Sequence, residues 1–226
     1  MRQAYQNCYN LTGSPVCGPN VTNMDNTYYG CNHLTGLPVC GDNVINMYGA
    51  YQICYNLTGS PLCGNNVTNM GNAYYSCLKL TGSPVCGPNV TNMVNTYSRC
   101  HNLTGSPVCG PNVINMANAY YGCWNITGAP VCGNKVTNMY MAYSDCDNLN
   151  DCTVNWYNPN IKNAANCFYG KNSARIYNIH VPANSKTFNT MIISNSKSLI
   201  GYGITWTNNG TCWYNTEENI YIYPDL

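Results

Sequence analysis

The sequence predicts an α/β repeat solenoid, a stack of rungs that each contain one short strand and one short helix. A segment of 23 residues recurs along the first two thirds of the chain, and every copy carries two cysteines at fixed places. A constant set of apolar residues within each copy has helical spacing. A fixed period of this length indicates one supersecondary unit that stacks on its neighbours. Copies begin at Val21, Val44, Val67, Val90, Val113 and Val136.

The helix of each rung is predicted from residues that do not vary between copies. When repeat positions are counted from the valine, position 4 is Met, position 8 is Tyr and position 11 is Cys. Positions 4, 8 and 11 follow the i, i+4, i+7 spacing of one helix face, so we expect them to point into the core. The predicted core residues are Met24, Met47, Met70, Tyr28, Tyr51, Tyr74, Tyr97, Tyr120, Cys31, Cys54, Cys77, Cys100 and Cys123.

The strand of each rung is predicted around positions 17 to 20, which read Ser83-Pro84-Val85-Cys86 in one copy. Strand alternation would point Ser83 and Val85 inward and leave Pro84 and Cys86 on the opposite face. Because proline donates no backbone hydrogen bond, the strand is expected to be very short.

Positions 5, 9 and 12 also follow helical spacing, but their residues differ from copy to copy, which is typical of an outward face. Several of them are aromatic, and exposed Tyr and Trp are common anchors of recognition surfaces. The alternative is sequence drift at unconstrained solvent positions. The candidate binding surface consists of Tyr29, Tyr48, Tyr55, Tyr75, Tyr121, Trp124 and Tyr140.

The repeat aligns the cysteines in two columns, one at position 11 and one at position 20. We expect the position 11 column to consist of reduced thiols that pack as small apolar groups. For the position 20 column the sequence is compatible with three arrangements: disulfides between stacked neighbours, bridges within a repeat such as Cys77–Cys86, or free thiols. Zinc is not expected, because the spacing is unlike that of zinc ligands and no histidine column accompanies it. The position 20 cysteines are Cys17, Cys40, Cys63, Cys86, Cys109 and Cys132.

Composition argues against several classes of function. Only 8% of residues are charged and the net charge is +1, which gives no basic patch for nucleic acid. No apolar stretch is long enough to insert into a membrane. His33, His101 and His180 lie in unrelated contexts, and Glu217-Glu218 is the only adjacent acidic pair, so we expect neither an enzyme nor a cofactor.

The chain divides into repeats at 1–149, a degenerate repeat at 150–172 and a closing region at 173–226. Because the sequence starts in the middle of a repeat, we expect it to be the C-terminal part of a longer protein. In the degenerate copy, Phe168 takes the place of the repeat tyrosine.

The closing region is expected to be an α+β cap over the last rung. Its predicted elements are a strand at 176–182, a helix at 185–195, a hairpin turning at 208–210 and a final strand at 219–223. Three cysteines fall outside the two columns, so a Cys152–Cys167 or a Cys167–Cys212 bridge is open.

The pattern Val67-Thr-Asn-Met70, then Ala73-Tyr74, Cys77 and Leu80, resembles the BspA-like leucine-rich repeats of bacterial and phage surface proteins. The resemblance covers residues 1–149, and the segment from Val181-Pro182 to Trp206 is similar to the element that closes such repeats. It implies a leucine-rich-repeat-like, right-handed solenoid at a cell or virion surface, outside the cell. The chain departs from the family at Gly-Ser-Pro-Val-Cys-Gly, where aliphatic alternation is usual.

The resemblance also implies a role in adhesion or receptor binding, as in a bacterial adhesin or a phage tail fibre. The partner would be a surface glycan or a protein receptor, and assembly into a homo-oligomer or fibre would be compatible with that role. The alternative is a purely structural spacer that lengthens by adding rungs. Near-identical copies such as 67–89 and 90–112 favour the spacer, whereas the aromatic outer positions favour recognition.

Overall fold

The computed structural model describes residues 1–149, 152–155, 158, 160–170, 177–182, 207–215 and 220–225. Within residues 1–149 each repeat is a chain of turns, and each hydrogen-bonds to the next repeat. Isolated parallel bridges join position 3 of successive copies, from Asn23–Asn46 through Asn115–Asn138 to Asn138–Asn163. The last step spans 25 residues instead of 23, so residues 160–170 form a further rung after a two-residue insertion.

The expected short helices are absent from the described residues, and that element of the prediction is wrong. Positions 4 to 11 form consecutive turns, closed by Ala73 N–H to Met70 O at 2.9 Å and by Cys77 N–H to Tyr74 O at 3.1 Å. Asn72 and Ser76 have φ of 56° and 59°, which lies in the left-handed region and interrupts a right-handed helix.

Alternate amides explain why turns replace a helix. The Tyr74 N–H donates to Thr96 O at 3.0 Å and the Ser76 N–H donates to Ser98 O at 2.8 Å, both on the next rung. The amides between them close turns within their own rung. In an α-helix all of these N–H groups would donate along the helix axis. Because alternate N–H groups donate to the next rung instead, the segment cannot form an α-helix.

The core is a set of columns along the stack. Neighbouring tyrosine rings at position 8 have centroids 5.1–5.7 Å apart and planes within 18° of each other, and Phe168 continues this column 6.0 Å beyond Tyr143. The position 4 methionines from Met24 to Met139 and the position 11 cysteines from Cys31 to Cys146 are buried beside it. All thirteen predicted core residues are at most 1% exposed.

The segment predicted as a strand forms no strand in the described repeats, and its side chains have the opposite orientation to the one expected. Pro84 is buried and Cys86 packs against the core, whereas position 19 is turned outward, with Val16 60% exposed and Leu62 44% exposed. The tyrosine of the following repeat bonds to the backbone of position 19. Those hydrogen bonds hold the backbone of position 19 towards the interior, so the side chain of position 19 faces outward.

The chain closes with a five-stranded sheet in the order β1-β2-β5-β4-β3. β1 and β2 are parallel, as are β2 and β5, whereas β4 is antiparallel to both β5 and β3. Ile222 of β5 is fully buried in the same apolar cluster as Phe168. The strands are β1 Cys152–Asn155, β2 Tyr177–Pro182, β3 Thr207–Asn208, β4 Trp213–Asn215 and β5 Ile220–Asp225.

The strand expected at 176–182 corresponds to β2, and the expected turn at 208–210 lies between β3 and β4. The expected helix at 185–195 and Trp206 lie outside the described residues. The assignment to a leucine-rich-repeat-like solenoid stays a prediction.

Candidate functional site

The predicted aromatic surface lies on turns rather than on a helix face. Four of its members are 37–46% exposed: Tyr48, Tyr55, Trp124 and Tyr140. Tyr29, Tyr75 and Tyr121 are half-buried. At the same repeat positions Gly71, Ser98 and Ser144 are buried, so the exposed aromatic residues do not form a continuous stripe.

Tyr121 and Trp124 line one pocket of about 300 Å³. We name it the Arg99–Asp145 pocket after the two charged residues in its wall. Its lining consists of Arg99, His101, Tyr121, Gly122, Trp124 and Asp145.

Three successive rungs build this pocket. Arg99 and His101 belong to the first, Tyr121, Gly122 and Trp124 to the second, and Asp145 to the third. The rungs are tied by Arg99 N–H to Tyr121 O at 2.6 Å and by Gly122 N–H to Ser144 O at 2.9 Å. The pocket therefore has a basic rung on one side, an aromatic rung in the middle and an acidic residue on the other side.

Gly122 leaves open the volume at the centre of the Arg99–Asp145 pocket. It occupies position 10, the position of Arg99 on the rung before it and of Asp145 on the rung after it. A Cβ there would lie 3.7 Å from Arg99 Cγ. The absence of that side chain leaves a gap between two opposite charges.

The aromatic rings are held by the basic rung. The His101 and Trp124 rings stack with centroids 3.6 Å apart and planes 7° apart. The Arg99 guanidinium lies over the Tyr121 ring, 6.0 Å from its centroid, which is the geometry of a cation–π contact. Each ring thus has one face covered by a residue of the preceding rung.

Electrostatically the pocket combines two unpaired charges with a neutral imidazole. Within the described part of the chain, the Arg2–Asp25 pair at 3.0 Å is the only salt bridge, and neither Arg99 nor Asp145 has a partner of opposite charge within reach. Burial, together with the Arg99 charge, lowers the pKa of His101 below 6.5. The imidazole is therefore neutral at pH 7 and can both donate and accept a hydrogen bond.

A second concavity is a repetitive groove of about 510 Å³ without charged side chains. Its asparagine side chains are fixed to the preceding rung, as in Asn43 Nδ2 to Pro19 O and Asn66 Nδ2 to Asp42 O, both at 2.9 Å. The groove shows the regularity of the repeat, whereas the Arg99–Asp145 pocket departs from it. Its lining consists of Asn20, Thr22, Asn43, Ile45, Asn66 and Thr68.

The position 11 cysteines act as hydrogen-bond donors within the core. The Cys77 thiol donates to Tyr51 O at 3.1 Å and the Cys100 thiol donates to Tyr74 O at 3.0 Å. Burial raises the pKa of Cys31 to about 11 and that of Cys100 to about 12. These are protonated thiols, unsuited to act as nucleophiles.

The position 20 cysteines are also free thiols in this structure, and disulfides between stacked neighbours stay an untested alternative. Each sulfur lies below the glycine of the next rung: a Cβ on Gly41 would meet Cys17 Sγ at 3.1 Å. Cys167 and Cys212 are free thiols in this structure as well.

Among the described residues, no group of three or more His, Cys, Asp or Glu side chains is placed to hold a metal ion. His33 Nδ1 contacts Tyr9 O at 2.7 Å, away from His101. His180 lies in β2, and Glu217-Glu218 lies outside the described residues. In that same described part, no helix is long and apolar enough to cross a membrane.

Sequence reasoning found Tyr121 and Trp124 but missed Arg99, Gly122 and Asp145. All three occupy position 10, which does not share the helical spacing of positions 5, 9 and 12. The available signal was the presence of two opposite charges at one repeat position, two rungs apart, in a chain with only 8% charged residues.

No protein family, curated protein or solved structure matches this chain.

Proposed function

We propose that this chain is a non-catalytic recognition module that binds a surface receptor, with the Arg99–Asp145 pocket as its main contact. The observation that carries the proposal is the local break in an otherwise regular stack. A module that only extends a fibre needs the core columns and the tie between rungs, and neither requires an arginine, an aspartate and a tryptophan around a glycine gap.

The rigidity of the stack supports recognition by a preformed surface. Arg99, Tyr121 and Gly122 are each fixed by backbone bonds between or within rungs, and the rings are held by stacking. A binding site of this kind loses little conformational entropy when its ligand arrives. Exposed aromatic side chains beside charged groups are also typical of the central contacts of recognition surfaces.

The spacer remains the second candidate, because the tyrosine column and the ties between rungs recur in copy after copy. The two candidates differ in what surface variants do. A spacer would tolerate any change in the pocket that leaves the stack intact.

The experiment compares variants on a glycan array and on intact cells. The test variant combines Arg99→Gln with Trp124→Ser, and its matched control combines Lys79→Gln with Tyr9→Ser, since Lys79 and Tyr9 are exposed residues away from the pocket. A third variant, Tyr48→Ser with Tyr55→Ser, tests the aromatic residues outside the pocket.

We expect the wild type and the control to bind and the pocket variant to lose at least about tenfold in affinity. If the pocket variant still binds and the Tyr48 and Tyr55 variant does not, the binding site lies at Tyr48 and Tyr55 and not in the Arg99–Asp145 pocket. Absence of binding by the folded wild type to every glycan and cell tested would support the spacer and overturn the proposal.

A further inference from the structure

The Arg99–Asp145 pocket carries an inference about the chemistry of its ligand. We propose that it binds a small zwitterion of the phosphocholine type, with the phosphate at Arg99 and the ammonium between Asp145 and the aromatic rings. This inference rests on the recognition function proposed above and specifies it.

The first argument is charge complementarity. Arg99 and Asp145 belong to rungs two steps apart, which is about 10 Å at the usual spacing of parallel strands. Neither has an ionic partner among the residues that the structure describes. A ligand with one charge would meet one attractive and one repulsive wall, whereas a zwitterion places an opposite charge against each.

The second argument concerns the cationic end. The faces of Tyr121 and Trp124 towards the preceding rung are covered by Arg99 and His101. The rung that carries Asp145 lies on the other side of the aromatic rung. An aromatic face with a carboxylate beside it is a favourable environment for a quaternary or primary ammonium.

The third argument concerns the anionic end. The Arg99 guanidinium offers planar paired donors that match the oxygens of a phosphate. His101 beside it can donate one further hydrogen bond without adding a charge. Gly122 leaves the gap through which the ligand would connect the two ends.

The size of the pocket limits the ligand. A volume of about 300 Å³ lies at the lower end of the range for small-molecule sites, which suits one headgroup and not an extended oligosaccharide. The phosphocholine group occurs both on surface glycans and on lipids, so the experiment needs one arm for each source.

The test is a calorimetric titration of the full chain with phosphocholine, with choline chloride and with inorganic phosphate. We expect phosphocholine to bind at least about tenfold more tightly than choline or phosphate, because only the zwitterion engages both walls. Arg99→Gln, Asp145→Asn and Trp124→Leu should each weaken phosphocholine binding by about tenfold or more.

The matched controls are Lys79→Gln, Asp42→Asn and Tyr9→Leu. These exposed residues repeat the same three chemical changes away from the pocket, and Tyr9 shares repeat position 12 with Trp124. We expect all three to bind phosphocholine like the wild type. Near-ultraviolet circular dichroism of each variant verifies that the tyrosine column is intact.

The two sources are separated by binding to phosphatidylcholine vesicles and to a phosphocholine-bearing glycan. Either surface supports the proposal, provided that free phosphocholine competes. Phosphatidylglycerol vesicles serve as the control for binding by charge alone.

Three results would overturn the inference: no saturable binding of phosphocholine to the folded chain, equal affinity for phosphate alone, or an unchanged affinity in Asp145→Asn. If one of these occurs while Arg99→Gln with Trp124→Ser still abolishes glycan-array or cell binding, only the ligand class is wrong. If array and cell binding are also absent in the wild type, the recognition function fails as well.

Discussion

The hydroxyl of Tyr74 bonds to both backbone polar groups of Leu62 in the preceding repeat. It donates to the Leu62 carbonyl oxygen at 2.7 Å and accepts the Leu62 N–H at 2.9 Å. Tyr97 and Val85 repeat the arrangement at 2.6 Å and 3.0 Å. The buried tyrosine column therefore does more than fill the core, because each ring crosses the interior and fixes the opposite wall of the stack.

We predict that Tyr74→Phe lowers the free energy of unfolding by about 1–3 kcal/mol, since the Leu62 N–H and C=O both lose their partner. Urea denaturation followed by circular dichroism measures the change. Tyr75→Phe is the control, because Tyr75 is half-buried and outside the column, and it should change stability by less than about 0.5 kcal/mol. Equal stability of Tyr74→Phe and the wild type would show that water replaces the hydroxyl.

A second prediction concerns the glycine at position 16, which has a left-handed backbone in every described copy. Gly105 has φ of 81°, and a Cβ there would collide with Ser83 Oγ and lie 3.3 Å from Ser83 Cα. Gly13 has φ of 85° with nothing within 4 Å of a Cβ. Because both substitutions introduce the same backbone strain, their difference measures the close approach of two rungs.

We expect Gly13→Ala to cost about 1–2 kcal/mol from strain, and Gly105→Ala to cost more. The midpoints of thermal unfolding of the Gly13→Ala and Gly105→Ala variants, measured side by side, test this difference. Equal midpoints would mean that Ser83 moves aside freely.

The sequence predicted the columns because stacking depends only on the period, and the period can be counted. Tyr74, Met70 and Cys77 recur at the same positions in every rung, so their alignment follows without any knowledge of the backbone. The local conformation could not be obtained in this way. The i, i+4, i+7 spacing of these residues also suits a series of turns whose alternate amides bond to the next rung.

The pocket was only partly predictable, because its assembly depends on the local backbone conformation and not on the repeat period alone. Tyr121 and Trp124 were found as exposed aromatic residues on an assumed helix. Arg99, Gly122 and Asp145 share repeat position 10, which helical spacing does not group with Tyr121 and Trp124. Only the observed series of turns brings the five residues together. The inward rotation of Pro84 was missed because it depends on the contact between Tyr97 and Val85, which joins different repeats.

A third prediction is a loss of stability at alkaline pH. Burial raises the pKa of Cys63 to about 12 and that of Cys109 to about 11, and it raises the pKa of Tyr74 and Tyr97 well above 10. The folded chain keeps protons that the unfolded chain releases from about pH 9 upwards, so the unfolded state is favoured as the pH rises.

The free energy of unfolding should therefore be constant from pH 7 to about pH 8.5 and then fall steadily towards pH 11. Urea denaturation at half-unit pH intervals measures the slope. Tyr74→Phe should show a shallower slope, because one of the shifted groups is missing. A constant free energy up to pH 11 would mean that the buried thiols and phenols ionise without opening the stack.

The last prediction concerns the order in which the cysteines react. Cys8 is exposed, whereas the position 11 thiols from Cys31 to Cys146 are buried and hydrogen-bonded to carbonyl oxygens. Among the position 20 thiols, burial raises the pKa of Cys86 to about 11, which leaves about one thiolate in a thousand at pH 8. The intact mass of protein prepared without reductant should correspond to free thiols, and brief alkylation at pH 8 should label Cys8 first.

The buried thiols should become labelled only as rungs open, and so at a rate that rises with urea concentration. Gly105→Ala should accelerate labelling of Cys77 and Cys100 on the two rungs that meet at Ser83 and Gly105, whereas labelling of Cys8 should not change. A mass deficit of two hydrogens for each pair of position 20 cysteines would instead show stacked disulfides.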